Sequence, residues 1–469
     1  EQGIGAFINN VDSMPKIELN NCHLTDSTIT STGGARVGGL IGWTSGYNKK
    51  DDGPVDTYIT VTNCSVENTK ITAKGSVGGI IGHAGANPAT YHTFTNNTVT
   101  GCTLNSTDDG GWRVGVVVGT ANVGEVALKN TTESGNTVTQ TGKTAPAGQS
   151  NLYGRFVPGT TGKLVIDGTA VFDSSIVAVV DNKGYKTLAD AVAAAQNGAT
   201  VKLLANINGQ TVIPADKNIV LDLNGKTMTH NIKRQATVYN NGTLTICDSS
   251  ADKSGKIRST VDTAICAGNN SNTTIQYANI EAVEGAVITG TNTGATVTIE
   301  DGIFEVSDNA VVAGNGTKRD GAANTITING GTFTGNIQSS GYVACGIYAP
   351  WKDNIVVNGG TFNITGGAGI VARGGIVVVN NGEFNTTGNA TGKVGDSRVV
   401  VPCSALVFDS AAKYPSLTND SKIQINDGKF KSDVDTIKVV KDDTDMNSRV
   451  IVGGGYFTTD PTNYVASGY

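Results

Sequence analysis

One short phrase recurs along the C-terminal half of the chain and constrains the fold more than any other feature. It has two apolar residues at positions i and i+2, a turn containing glycine, and then phenylalanine, as in TVTIEDGIF, TITINGGTF and VVVNNGEF. The phenylalanines are Phe304, Phe333, Phe362, Phe384, Phe430 and Phe457, at intervals of 29, 29, 22, 46 and 27 residues. Internal similarity with a period of about 20 to 50 residues is the signature of repeat architectures. The sequence therefore predicts stacked coils with the phenylalanines in an internal column.

The composition agrees with short strands joined by many turns. Glycine accounts for 62 of 469 residues, hydrophobic residues for 38% and charged residues for 16%. Glycine and asparagine suit turns, while threonine and valine suit pleated strands. The net charge of −6 argues against a nucleic-acid partner, and no run of about 18 apolar residues is present to insert into a membrane.

The seven cysteines do not predict a disulfide framework, because their number is odd and no CxxC pair occurs. Cys22, Cys64 and Cys102 follow similar letters in NNCHL, TNCSV and TGCTL. We expect these three residues at equivalent positions of successive repeats, as small buried side chains.

The N-terminal third carries its own repeat, which closes on RVGGLIG, SVGGIIG and RVGVVVG in residues 21–42, 62–82 and 100–119. This block, roughly residues 1–145, resembles the GLUG-type repeats of large bacterial surface proteins. GIGAFI at residues 3–8 looks like the tail of such a repeat, so we expect the chain to be a piece of a longer protein. Residues 146–184 lose the periodicity and are predicted to be a joint.

A single helix is predicted over residues 185–198, with Thr187 as N-cap, an apolar stripe through Leu188, Val192 and Ala195, and Gly198 as its end. This helix and the β-run after it resemble the N-terminal cap of pectate-lyase-like right-handed parallel β-helices. Residues 218–469 look like the glycine-rich β-helical regions of very large surface proteins of gut-associated Gram-positive bacteria. The expected fold is all-β: a right-handed parallel β-helix (β-solenoid) over 185–469, following the first repeat array, with one short capping helix.

Parallel β-helices include polysaccharide-cleaving enzymes, and glycoside hydrolysis needs two carboxylates facing one groove. Asp222, Asp301 and Asp427 are candidates by residue type. Asparagines 329, 358 and 380 are expected at the equivalents of Asp301 and Asp427, which indicates turn formation instead. Arg373 has no acidic cluster in register. The sequence therefore predicts a protein that is not an enzyme.

No metal or cofactor is predicted, since the four histidines lack ligand spacing. The acidic runs at 441–445 and at Asp108–Asp109 are expected to be solvated turns, with adventitious calcium as the alternative.

Binding is predicted at aromatic residues near turns and in the excursion between Phe384 and Phe430, whose core is 386–404. An exposed ring beside polar groups can stack on a sugar or anchor a protein, and the alternative is that each ring covers a coil corner. The candidate ligand-binding residues are Trp351, Tyr348, Lys352, Trp43, Trp112 and Arg398.

The sequence thus favours a non-enzymatic extracellular protein, secreted or at the cell surface, serving as an adhesin or stalk segment. Its partner would be a host glycan or surface protein, and a monomer is favoured. Two alternatives stay open: a polysaccharide lyase or glycoside hydrolase on a β-helix, and a phage fibre or capsid-decoration protein, which would trimerise.

Overall fold

The structure is a computed structural model that describes residues 3–11, 14–45, 47–49, 53–85, 87–146, 149–157, 162–290, 294–314, 322–336, 345–388, 392–394, 399–409, 420–440 and 449–469. The chain divides into two compact units, Glu1–Ser175 and Ile176–Tyr469. The division falls inside the predicted joint of 146–184. Both units consist of stacked parallel strands, so the predicted all-β parallel β-helix is confirmed.

In the second unit each coil contributes one strand in turn to three parallel sheets, named here the first, second and third sheets. The first sheet contains Thr200–Leu203, Asn218–Asp222, Thr243–Cys247, Asn272–Ile275, Thr296–Ile299, Thr325–Ile328, Asn354–Val357, Ile376–Val379, Lys422–Ile425 and Val450–Val452. The second contains Ile207–Asn208, Thr227–His230, Lys256–Ser259, Asn279–Ala282, Ile303–Val306, Thr332–Asn336, Thr361–Thr365, Glu383–Thr387, Lys429–Ser432 and Tyr456–Phe457. The third contains Thr211–Ile213, Val238–Asn240, Thr263–Ala267, Gly285–Thr289, Ala310–Ala313, Cys345–Ala349, Ala368–Ala372, Leu406–Asp409 and Ile437–Val440.

The interior follows from the two-residue period of the strands, which sends alternate side chains to opposite faces. In Thr325–Ile328, Ile326 and Ile328 are fully buried while Thr325 is exposed, as predicted. The predicted phenylalanine column is also confirmed. From Phe304 to Phe457 the six rings stack in chain order, with centroids 4.3 to 5.4 Å apart and interplanar angles of 3 to 16°.

The start of the second unit is covered by a helix and an antiparallel strand pair. The helix is shorter than predicted, Leu188–Ala194, but the Thr187 hydroxyl accepts from the Asp190 N–H at 3.1 Å, as expected of an N-cap. Ala178–Val180 pairs antiparallel with both Lys183–Tyr185 and Thr200–Leu203, so it covers the edge of the first parallel strand. Part of the predicted joint thus belongs to the cap, which protects an otherwise open sheet edge.

The first unit winds through five parallel sheets. The sheet formed by the glycine-rich motif, named the glycine sheet, contains Gly3–Ile4, Arg36–Gly38, Val77–Gly78 and Val114–Gly115. The sheet that follows it in each coil, named the tryptophan sheet, contains Ile8–Val11, Ile41–Thr44, Ile81–Ala84, Val118–Ala121 and Tyr153–Phe156. Of the other three sheets, one contains Lys16–Asn20, Thr57–Thr62, Thr90–Thr95, Glu125–Lys129 and Lys163–Ile166, with Thr169–Val171 added antiparallel at its edge. Another contains His23–Thr25, Ser65–Glu67, Thr98–Thr100 and Thr132–Ser134. The last contains Thr28–Thr30, Lys70–Ala73, Thr103–Ser106 and Thr137–Gln140.

The paired glycines of the N-terminal repeat are required by close backbone contact. A Cβ on Gly38 would lie 2.0 Å from the Ile41 carbonyl oxygen, and one on Gly79 would lie 2.2 Å from that of Val116. Only glycine fits where backbones approach this closely. These glycines therefore place the glycine sheet and the tryptophan sheet side by side across a tight bend.

The prediction for the three N-terminal cysteines is wrong about their register, and Cys22 is half-buried rather than buried. Strand pairing places Cys22 level with Cys64, and the Cys22 N–H lies 3.3 Å from the Cys64 sulfur. Cys102 is one corner further along its coil, level with Thr69. The residue level with Cys64 in the third coil is Asn97, whose side-chain oxygen accepts from the Cys64 N–H at 2.9 Å.

The asparagines beside the phenylalanine phrase form a hydrogen-bonded ladder, and their predicted register is wrong by one residue. Asn329, Asn358 and Asn380 are level with Glu300 and Asn426, not with Asp301 and Asp427. Each side-chain amide in the ladder donates to the preceding rung at 2.7 to 2.8 Å. Asp301 and Asp427 instead accept from the next backbone N–H at 2.8 Å, as turn residues do.

Candidate functional site

A groove of about 570 Å³ lies on the outward side of the third sheet, near the N-terminal end of the second unit. It crosses four neighbouring strands: Thr211–Ile213, Val238–Asn240, Thr263–Ala267 and Gly285–Thr289. Its volume is within the range of about 300 to 1,000 Å³ typical of ligand sites.

The floor of the groove is a column of outward-facing side chains in register. Val212 pairs with Tyr239, Tyr239 with Cys266, and Cys266 with Ile288. Val212 is 47% exposed and the other three are half-buried. Burial raises the pKa of the Cys266 thiol to about 12, with a further contribution from the charge of Asp262. The thiol is therefore protonated at neutral pH and contributes apolar surface rather than a nucleophile.

One rim of the groove carries polar side chains at the same position of three coils. Asp262 and Glu284 directly precede the strands Thr263–Ala267 and Gly285–Thr289, and Thr263 pairs with Gly285. The two acidic residues are therefore neighbours on adjacent coils, and the same register places Gln235 beside Asp262 on the coil before.

Two of the rim side chains, Asp262 and Gln235, are held in place by hydrogen bonds. The Asp262 carboxylate accepts from the backbone N–H of Arg234 at 2.5 Å and from that of Thr263 at 2.8 Å. Gln235 Oε1 lies 3.1 Å from Nε2 of the buried His230. Such contacts pre-organise polar groups for recognition.

The two carboxyl groups on the rim differ in their surroundings. Burial raises the pKa of Glu284, and the neighbouring charge of Asp262 raises it further, while Lys233 acts in the opposite direction. The Asp262 carboxylate is instead fixed by two backbone N–H donors. Two adjacent carboxyl groups in unlike environments can take different roles, one as a proton donor and one as an anion.

The structure places Trp351, Tyr348 and Lys352 together, outside the groove. The prediction of an exposed ring at Trp351 is wrong, because this side chain is only 2% exposed. Lys352 Nζ lies 5.3 Å from the centre of the Trp351 ring, and the Tyr348 hydroxyl accepts from Arg373 Nη1 at 3.2 Å. Tyr348 nevertheless belongs to the outward column that contains Tyr239, further along the third sheet.

The N-terminal tryptophans lie in different surroundings. Trp43 is half-buried, with the guanidinium carbon of Arg36 4.3 Å from its ring centre. Trp112 is half-buried against the hydrophobic core of the first unit. Arg398 lies outside the described residues, and so does much of the excursion at 386–404, of which Gly392–Val394 and Val399–Val401 pair as an antiparallel hairpin.

The described part of the chain offers neither a cluster of metal ligands nor a membrane-spanning helix. No group of three or more histidine, cysteine or acidic residues in it could hold a metal ion. Among the residues described, no helix has the length and apolar character needed to cross a membrane.

Asp262, Glu284 and Tyr239 were not among the site residues predicted from the sequence. The sequence does contain a signal for the two acidic residues. In DTAICA and EGAVIT an acidic residue directly precedes an apolar run, just as Asn309 precedes the apolar run of NAVVAG further along the chain. The acids go unnoticed because these coils lack the phenylalanine phrase that sets the register.

No family model matches the chain, and no curated protein or solved structure matches it.

Proposed function

We propose that the chain is part of an extracellular, cell-surface β-helix protein whose groove on the third sheet binds a glycan. The observation that carries this proposal is the combination of an aromatic floor at Tyr239 with a hydrogen-bonding rim formed by Gln235, Asp262 and Glu284. An aromatic face stacks on the apolar side of a sugar ring, while amides and carboxylates bind its hydroxyl groups. The surface location rests on the resemblance of the repeats to those of bacterial surface proteins.

The dimensions of the groove suit an extended oligosaccharide. Its floor spans four coils, which at ~4.8 Å per coil corresponds to roughly 14 Å along the stack. The rim residues repeat at the same interval, so successive sugar units would meet similar groups.

Replacing Tyr239 by alanine tests the binding proposal. Oligosaccharides that bind the intact chain on a glycan array should bind the Y239A variant about 5- to 30-fold more weakly, since loss of an aromatic contact costs roughly 1 to 2 kcal/mol. Tyr277 offers a matched control, because this half-buried tyrosine lies outside the groove, where Lys253 Nζ is 5.8 Å from its ring. Equal loss of affinity in Y239A and Y277A would refute the assignment of the site.

A second function is favoured by the adjacent carboxyl groups: hydrolysis of a glycosidic bond with retention of configuration. The coil spacing of ~4.8 Å is close to the ~5 to 5.5 Å carboxyl separation used by retaining enzymes. Glu284 would protonate the leaving oxygen as Asp262 attacks the anomeric carbon and forms a glycosyl ester. Water would then cleave the ester, with Glu284 taking its proton.

Reducing-end assays separate binding from hydrolysis. Hydrolysis predicts that the intact chain releases reducing ends from the glycan it binds, and that E284Q loses at least about a hundredfold in rate while still binding. Binding without release of reducing ends would leave the glycan-binding proposal and exclude the hydrolytic one.

A further inference from the structure

The first unit carries a cluster of arginine, tryptophan and histidine that the proposed groove does not involve. One column of the tryptophan sheet presents, on successive coils, Asn10, Trp43, His83, Thr120 and Arg155. A column of the glycine sheet presents Arg36, Ser76 and Arg113 at equivalent positions.

These two columns face each other. The Arg36 guanidinium carbon lies 4.3 Å from the Trp43 ring centre, and Ser76 Oγ lies 2.7 Å from Thr120 Oγ1. The tight Gly38–Gly39 bend between the sheets makes this approach possible. Basic side chains from both sheets are consequently brought to one strip of surface.

The pKa of His83 is lowered by burial as well as by the positive charges of this strip. Its imidazole is almost fully buried, and its Nε2 lies 3.4 Å from the Asn122 side-chain nitrogen. Burial lowers the pKa of His83 to about 3, and the charges of Arg36, His92, Arg113 and Arg155 act in the same direction. His83 is therefore neutral at physiological pH and the positive charge of the strip resides on the arginines.

Two further observations bear on a ligand. The Trp43 indole N–H is buried and has no hydrogen-bond partner among the described residues, whereas buried donors are normally paired. Asp108 pairs with Arg113 at 2.8 Å and neutralises part of the charge, whereas Arg155 is exposed. The strip thus combines an aromatic surface, a buried indole N–H and the exposed guanidinium of Arg155.

We propose that Arg36, Trp43, His83, Arg113 and Arg155 form a binding site for an acidic sugar, one that carries a carboxylate or a sulfate ester. Guanidinium groups bind such oxyanions through paired hydrogen bonds, and the indole ring supplies apolar contact. The groove of the second unit has an acidic rim and would repel the same ligand. The two units would therefore differ in whether they accept an acidic glycan, and this inference does not depend on the proposed groove function.

Calorimetric titration of the full chain tests the site with four probes: oligogalacturonate, a heparin-derived oligosaccharide, a neutral cello-oligosaccharide and sodium sulfate. We expect an acidic oligosaccharide to bind, the neutral one not to, and affinity to fall with added salt. The R155Q variant should lose at least about tenfold in affinity. Lys70→Gln provides the matched control, since Lys70 is an exposed cation of the same unit on another sheet.

The outcomes of the titration either support or overturn the proposed acidic-sugar site. Selective loss of acidic-sugar binding in R155Q, with K70Q unchanged, supports the site, and retention of binding in Y239A separates it from the groove. Equal loss in R155Q and K70Q would mean that net charge alone attracts the ligand, and would overturn the proposal. Binding of sodium sulfate as tightly as the oligosaccharides, an adventitious ion only, would overturn it too.

Discussion

Replacing Phe362 by leucine tests whether the aromatic column stabilises the second unit beyond apolar burial. The Phe362 ring is fully buried and stacks on two neighbours, Phe333 at 4.3 Å and Phe384 at 4.5 Å. Leucine keeps most of the apolar contact but removes both ring–ring interactions. Phe457 provides the comparison, because it is half-buried and stacks on Phe430 alone, at 4.8 Å.

The size of the effect follows from the number of ring pairs that are lost. An aromatic pair contributes about 0.5 to 1.5 kcal/mol beyond its buried area. Phe362→Leu should therefore lower the free energy of unfolding by about 1 to 3 kcal/mol, and Phe457→Leu by about half of that. Phe362→Ala, which also leaves a cavity, should cost about 3 to 5 kcal/mol.

Urea unfolding followed by far-UV circular dichroism measures these differences. Since coils contact mainly their neighbours, unfolding can proceed in segments, so amide exchange in Thr361–Thr365 should be measured as a local readout. A double-mutant cycle isolates stacking: F333L and F362L should couple by about 0.5 to 1.5 kcal/mol. F304L and F384L serve as control, because their rings neither touch nor share a neighbour.

Additive losses in the F333L and F362L cycle would refute the stacking argument and leave apolar burial as the whole explanation. The same conclusion would follow if Phe362→Leu and Phe457→Leu destabilised the protein equally.

Three further predictions concern corners and turns. Asp353 is fully buried, and burial raises its pKa to about 6, so the folded state holds the proton more tightly than the unfolded state does. The free energy of unfolding should therefore fall by about 3 kcal/mol at most as pH rises from about 4 to about 6. The D353N variant should show a weaker pH dependence in urea titrations. Gly79→Ala places a Cβ 2.2 Å from the Val116 carbonyl oxygen and should cost about 1 to 3 kcal/mol or more, whereas Gly33→Ala, with open space around its Cβ, should leave the melting temperature unchanged. Asn358→Ala removes two ladder hydrogen bonds at an exposed corner and should cost about 0.5 to 1.5 kcal/mol by thermal unfolding.

The structural features that could be predicted are those marked in the sequence by regularly spaced large apolar residues. The phenylalanine phrase determined which side chains lie inside, and the structure agrees at Ile326, Ile328 and Phe333. The helix was predicted from its N-cap at Thr187, although it ends at Ala194 and Gly198 lies in the loop after it, at φ +83°. Such local signals need no knowledge of what lies on the next coil.

Features that depend on the strand register between neighbouring coils could not be predicted from the sequence. Cys102 was assigned to the wrong corner because its neighbouring letters match those of Cys64, although the strand register differs. Asp262 and Glu284 are 22 residues apart, and nothing local indicates that they are neighbours on adjacent coils. For Trp351 the sequence left open an exposed ring and a ring that covers a coil corner, and only the structure shows that the ring is buried.

The phenylalanine column also has a consequence for how such a chain can change in evolution. Each ring stacks on the rings before and after it, and the centroid spacing rises only from 4.5 to 5.4 Å where the intervening chain grows from 22 to 46 residues. A gene duplication or deletion covering one interval, such as residues 334–362, would bring two existing rings together at the ordinary distance. The second unit could therefore be lengthened or shortened by whole coils without any new type of contact in its interior.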